Sequence, residues 1–260
     1  AGSLAGGVMV HVMEGSGFSR FDSYRSVLAG YTLSGLVLLL VFFFLSSAVE
    51  VKSHSNIQTI KRFLGLHRSR NAVLRLSALF SMDAFAGGLI MQSILAYWFY
   101  VRFGVDAGTL GGIFFGANIL AGISALLAVR LASRIGLINT MVFTHIPSNI
   151  LLCLIPLMPN LNLAIAVMML RYSISQMDVP TRQSFTMAVV SPDERSAAAG
   201  ITNIARSVGS SLSPALSGFF LSSPALLSMP FFMAGGMKII YDILLFYNFR
   251  TMKPPEEKKL

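Results

Sequence analysis

The sequence predicts an all-α membrane protein built as a multi-span helical bundle, and three observations carry that expectation. Of 260 residues, 54% are hydrophobic and only 12% charged, with a mean hydropathy of +0.69. A soluble domain carries about a quarter charged residues. Successive apolar stretches of about 20 residues match the hydrocarbon thickness that a helix must cross. Between them the basic residues alternate from side to side, with 13 on one side and 3 on the other. One set is Lys52, Lys61, Arg62, Arg68, Arg70, Arg75, Arg130, Arg134, Arg195, Arg250, Lys253, Lys258 and Lys259, and the other is Arg20, Arg25 and Arg102. Positively charged short loops stay in the cytoplasm, so the alternation predicts a cytoplasmic C-terminus.

Apolar spans read as 1–13, 27–48, 78–101, 106–129, 138–158, 161–188, 198–221 and 229–249, which is seven full helices and one stub. The stub AGSLAGGVMVHVM opens on Ala1 and reads as the tail of a helix already under way, so the chain is expected to be a fragment. Residues 50–77 form the longest connection, with Ile57, Ile60, Phe63 and Leu64 at helical spacing among Lys61, Arg62 and Arg68. That pattern predicts a basic amphipathic linker lying on an anionic leaflet. Tyr97, Trp98, Phe99 and Tyr100 end the 78–101 span as an aromatic interface anchor. Small residues recur at Gly112 and Gly116 and at Ala205, Gly209, Ser213 and Ser217, a spacing that lets helices approach closely. The segments are too long, and lack the alternation, for an outer-membrane β-barrel.

The net charge of +9 would suggest nucleic acid in a soluble protein, but here topology accounts for it and no nucleic-acid partner is expected. Cys153 has no second cysteine to pair with, so neither a disulfide nor a cysteine-based zinc site can form within the chain. The motifs H-E-x-x-H, C-x-x-C, G-x-S-x-G and G-x-x-x-x-G-K-[ST] are absent, so metalloprotease, redox, esterase and ATPase readings lose their usual signals. No enzyme activity, cofactor or metal is expected.

Chemistry concentrates inside the spans. An ionisable residue at mid-bilayer costs a few kcal/mol, so it normally faces a partner or a water-filled cavity. In RYSISQMDVPTRQ, residues 171–183, the residues Arg171, Ser175, Asp178 and Arg182 follow steps of four, three and four and would share one helix face, with Gln176 and Gln183 beside them. Asp178 and Arg182 are spaced to pair at i, i+4, and Pro180 would free a carbonyl one turn earlier. Other spans offer Asp83, Gln92, Asn118, His145, Asn149, Asn203 and Arg206, and Lys238 with Asp242 reads as a second i, i+4 pair. The stripe is expected to mark a solute and ion pathway, against the alternative of a purely structural ion-pair network; Arg206 could also snorkel to the interface.

The loops and spans together resemble the major facilitator superfamily, in particular its C-terminal half. In LASRIG, the residues Leu131, Ala132, Arg134 and Gly136 match the second copy of the family's cytoplasmic loop pattern, with Ser133 where the pattern has Asp. GSLAGG is similar to the fifth-helix antiporter motif through Gly2, Gly6 and Gly7, with Ser3 in place of Pro. SPDERSAAAGITNIARSVGSSLSPALSG resembles the passage from helix ten into helix eleven, and SQMDVPTRQ looks like a signature of a prokaryotic branch.

The resemblance implies that 1–49 ends the N-terminal half (the end of helix five, then helix six), 50–77 is the cytoplasmic linker, 78–249 is the six-helix C-terminal half and 250–260 is a cytoplasmic tail. It implies two bundles rocking about a central site, with Asp83, Gln92, Asn118, Arg171, Gln176, Asp178, Arg182, Asn203 and Arg206 on the pathway. Arg134 and Gly136 would belong to a gating loop. Arg171 and Arg206 would offer positive charge to a polar or anionic solute, and Asp83 or Asp178 would carry a proton. The implied function is proton-coupled secondary active transport of a small polar or anionic solute in a prokaryotic inner membrane, with the missing N-terminal half, the lipid bilayer, the solute and protons as partners. The competing readings are a drug or metabolite exporter, a uniporter, and a non-transporting membrane scaffold.

Overall fold

The structure is a computed structural model, and it describes residues 2–44 and 65–252, apart from the side chain of Ser3. Among the described residues all regular structure is helical. The helices are α1 (Gly2–Gly15), α2 (Arg20–Phe43), α3 (Arg70–Gly88), α4 (Gln92–Phe103) and α5 (Ala107–Ile135). They continue as α6 (Leu137–Leu154), α7 (Leu161–Ser175), α8 (Asp178–Val189), α9 (Arg195–Leu221) and α10 (Met229–Phe249). The predicted surface linker lies largely outside the described residues, with Ile57, Ile60, Lys61, Arg62, Phe63 and Leu64 among those not described.

Two compact units form. The first holds residues 2–44 and 106–115. Ser19 caps α2 by accepting the Asp22 amide at 3.1 Å, and Arg20 reaches back to Glu14 at 3.3 Å. Gly7 lets α1 approach the start of α5: a Cβ there would stand 2.9 Å from the Ala107 carbonyl. The apolar side chains of α2 are exposed along its length, as suits a helix in lipid.

The second unit holds residues 65–105 and 116–252. Its widest packing runs along α3 and α9, where the small-residue stripe works as predicted. Gly209 lies against the Ser81 backbone with no room for a Cβ, and a Cβ on Gly88 would come within 2.7 Å of that of Ser213. At this closeness Ser213 Oγ donates to the Phe85 carbonyl at 2.6 Å and Ser217 Oγ to the Leu89 carbonyl at 3.3 Å. Lipid offers no hydrophobic gain for helix association, so van der Waals fit and such bonds hold the pair. Leu76, Phe80, Met141, Phe185, Tyr241 and Phe249 fill the core between α3, α6, α8 and α10.

Several helices depart from the predicted spans. The first helix of this unit begins at Arg70 rather than 78, and it breaks after Gly88; Met91 is extended before α4 restarts at Gln92. The predicted single helix over 161–188 is broken between Ser175 and Asp178. Pro180 has no N–H to give the Gln176 carbonyl, which instead accepts from Val179 at 3.4 Å. Arg171 and Arg182 therefore sit on different helices, and the continuous polar face does not form. The aromatic anchor divides: Tyr97 and Tyr100 are exposed, whereas Trp98 and Phe99 are fully buried. Trp98 packs on Phe231 at 4.9 Å, and its indole N–H donates to Ser228 at 3.3 Å.

Among the described residues, five helical stretches are long and apolar enough to cross a bilayer: 20–43, 70–103, 107–135, 137–157 and 224–249. The segments counted as spans at 161–188 and 198–221 are not among them, the one being interrupted and the other carrying a polar face.

Candidate functional site

Asp83 sits on the buried side of α3, five residues before the break. Three helices point a cation at its carboxylate. Lys238 Nζ of α10 lies 2.5 Å from Oδ1; Arg182 of α8 and Arg206 of α9 reach Oδ2 at 3.0 and 3.3 Å. Arg182 also contacts Asp178 at 3.0 Å, the i, i+4 pair expected from their spacing, and lies over the Phe80 ring at 5.5 Å. Starting α8 at Asp178 keeps that pair on one turn. Asp83 and Asp178 together bring two negative charges to these three cations, and a charge left without a counter-charge in a low dielectric costs several kcal/mol.

The second pair expected from spacing does not form. Lys238 goes to Asp83, and Asp242 goes to His145 Nδ1 at 2.8 Å and Asn149 Nδ2 at 3.2 Å, both from α6. A lysine reaches across to a facing helix as readily as along its own, and the bonds from α6 claim Asp242. His145, Asn149, Lys238 and Asp242 stand out in the sequence as polar intrusions, but nothing in their spacing joins Lys238 to Asp83 or Asp242 to α6.

Two cavities open beside this cluster. One, of about 510 Å³, is lined by Asp83, Gly87, Met91, Asn203, Arg206, Ser207, Ser210 and Lys238. The other, of about 290 Å³, is lined by Arg182, Gln183, Thr186, Met187 and Thr202, and shares Asn203 and Arg206 with the first. Arg206 is the most exposed of the three cations, its side chain 31% accessible against 10% for Lys238 and 9% for Arg182. It is held on one carboxylate and opens to both cavities.

Of the other residues expected on the pathway, none lines either cavity. Gln92 begins α4, Asn118 is on an exposed face of α5, and Gln176 lies in the break before α8. Arg171 is half-buried, 5.3 Å from the Tyr172 ring. Arg134 is exposed at the end of α5. Gly136 is the single residue between α5 and α6, with φ of 87°, a conformation that a side chain would strain.

A further buried carboxylate lies outside the spans. Glu194, between α8 and α9, accepts the backbone amides of His67, of Arg68 at 2.8 Å and of Ser69 at 2.9 Å, at the turn that starts α3. His67 Nδ1 adds a contact at 2.7 Å. Burial alone would raise this carboxyl; the bonds from His67, Ser69 and Arg68 outweigh it and hold it at about 2.

A sequence profile of the Major Facilitator Superfamily matches residues 1–214. The chain belongs to the major facilitator superfamily. It is thus an integral, multi-pass membrane protein of a transporter family. It is also similar to an uncharacterized membrane protein of Saccharomyces cerevisiae, 22% identical over 273 residues that cover 94% of this chain. The chain spans 61% of that relative's length. No solved structure matches it.

Proposed function

We propose that this major facilitator superfamily chain belongs to a secondary active transporter of a small polar or anionic solute, coupled to protons and working by alternating access. One observation carries the reading: Asp83 gathers Lys238, Arg182 and Arg206 around one carboxylate, and the least buried cation, Arg206, opens onto both cavities. An anionic or hydrogen-bonding solute would take over Arg206, with Asn203, Ser207 and Ser210 completing its contacts. Asp83 then acts as the solute's stand-in, keeping the cation paired while the cavity holds only water. The reading includes no enzymatic step.

In this reading the 13 to 3 division of basic residues puts the C-terminus in the cytoplasm. The yeast source of the relative weighs against a prokaryotic inner membrane. Residues up to 49 would close the N-terminal half of the transporter and 78–249 would make the C-terminal half, so the cavities described are one wall of the solute site.

The test is uptake into liposomes carrying the intact gene product, under an imposed pH gradient, of radiolabelled phosphate, lactate, succinate, gluconate and glucose. Accumulation of any of them above equilibrium, lost in Arg206→Gln, is the expected result. Equilibration without accumulation would mean a uniporter. Absence of saturable flux would leave a non-transporting membrane protein.

A further inference from the structure

We propose that the His145–Asp242 pair, and not Asp83 or Asp178, is the proton-binding site of this chain, and that one proton bound there admits one anionic group at Arg206. The inference rests on the transport reading above and sharpens it to an anionic solute moved with one proton.

The carboxylates differ in what faces them. Asp83 contacts three cations and Asp178 contacts Arg182, so removing either charge would leave buried cations around a neutral acid. Asp242 is fully buried and, among the described residues, has no lysine or arginine within ion-pair distance; its partners are His145 and Asn149. A carboxylate only accepts, so the Asn149 amide donates to it, and a neutral His145 donates through Nδ1–H. That leaves Nε2 as the atom that takes the proton, giving an imidazolium against Asp242 at 2.8 Å.

The charged and titratable side chains on the helices packed against α6 are Lys238, Tyr241, Asp242 and the exposed Tyr247 on α10, Asp178 and Arg182 on α8, and Arg171 and Tyr172 on α7. Asp83 on α3 joins them through Lys238 and Arg182. With His145 neutral, the carboxylates of Asp83, Asp178 and Asp242 are matched by Arg182, Arg206 and Lys238. Protonation of His145 gives Asp242 its own counter-charge and leaves the cluster one positive charge in excess. Arg171 is charged in both states and does not alter the difference. Lys238 sits one turn before Asp242 on α10 and holds Asp83, which also holds Arg206. The added charge is therefore felt at Arg206, which among these three cations opens to both cavities. An anion bound there restores neutrality, so proton and anion bind cooperatively, by about 5- to 150-fold in affinity for a coupling of ordinary size.

The experiment uses the intact gene product in liposomes with the same five solutes, comparing gradient-driven accumulation with exchange at equal pH. Wild type is expected to accumulate a monovalent anion of the set (lactate, gluconate or dihydrogen phosphate) by up to about tenfold per pH unit, the limit for one proton per single negative charge, unchanged when the membrane potential is clamped. His145→Gln, which cannot take the proton, is expected to lose accumulation and to exchange the anion with an affinity about 5- to 150-fold weaker than wild type. His145→Arg, which fixes the positive charge, is expected to exchange the anion at a rate that no longer depends on pH. Accumulation by His145→Gln equal to wild type, or loss of exchange in both variants, overturns the inference and leaves the transport reading intact. Accumulation of glucose but no anion overturns the inference alone; wild type accumulating nothing overturns both.

Discussion

Glu194 and Asp83 are both buried carboxylates with three donors, and they are held in opposite ways. Glu194 is gripped by backbone amides that belong to one turn at the start of α3. Those donors are backbone groups of the short segment leading into α3, which cannot swing away as a side chain can, so the contact ties the loop before α9 to the start of α3 as a fixed joint. Asp83 is held by three long side chains from α8, α9 and α10. Each can swing away by changing rotamers, so the same charge neutralisation is made from movable parts. Fixed dipoles suit a joint, and mobile cations suit a site that must exchange one partner for another.

Breaking the mobile cluster should have the largest effect. Asp83→Asn leaves three cations around a neutral amide, and the expected loss is about 3–5 kcal/mol of stability, read as a fall in the thermal unfolding midpoint of the detergent-solubilised protein. Lys238→Gln should cost less, because Asp83 keeps Arg182 and Arg206; equal losses would mean that the carboxylate does not organise the cluster.

The fixed joint comes next. Glu194→Gln keeps shape but weakens the bonds to three amides, with an expected cost of about 1–3 kcal/mol. The pH dependence has a definite sign. The Glu194 carboxyl is held at about 2 against an ordinary 4.5. Its contribution is thus fully present above about pH 4.5 and is lost as pH falls toward 2. Unfolding midpoints should fall over that window in wild type by more than in Glu194→Gln, and parallel curves would remove the joint from the account.

The smallest stability effect belongs to Arg206→Gln, under about 1 kcal/mol, because its side chain is partly exposed and its ion pair is screened. Its effect on solute uptake should nevertheless be complete. A large loss of stability with uptake preserved would make Arg206 a structural member of the cluster, like Arg182.

The legibility of the site follows from how far apart in sequence its members are. Asp178–Arg182 was readable because one helical turn brings them together. Lys238 and Asp242 share the same spacing, yet each turned to another helix, because facing helices offered closer partners. Asp83 and Arg206 were readable as expensive polar intrusions, but not as partners, since their contact depends on how α3 lies along α9. Gln92, Asn118, Arg171 and Gln176 were equally conspicuous and line neither cavity, so polarity in a span marks a constraint without saying which one. The apolar length of 161–188 suggests a single span, but Pro180, with no N–H to give, ends the hydrogen-bond ladder at Gln176 and breaks it into two helices.

The sequence by itself determined the solvent and the class. Apolar runs of bilayer length and alternating basic loops leave a helical membrane bundle as the way to satisfy every backbone polar group. The sequence also dictated where small residues would let helices touch, because Gly209 and Ser213 act through size alone. The tertiary structure alone decided which charges meet. In a low dielectric every buried charge must find a partner, several partners were available to each, and only the packing of α3, α6, α8, α9 and α10 brought one set within reach.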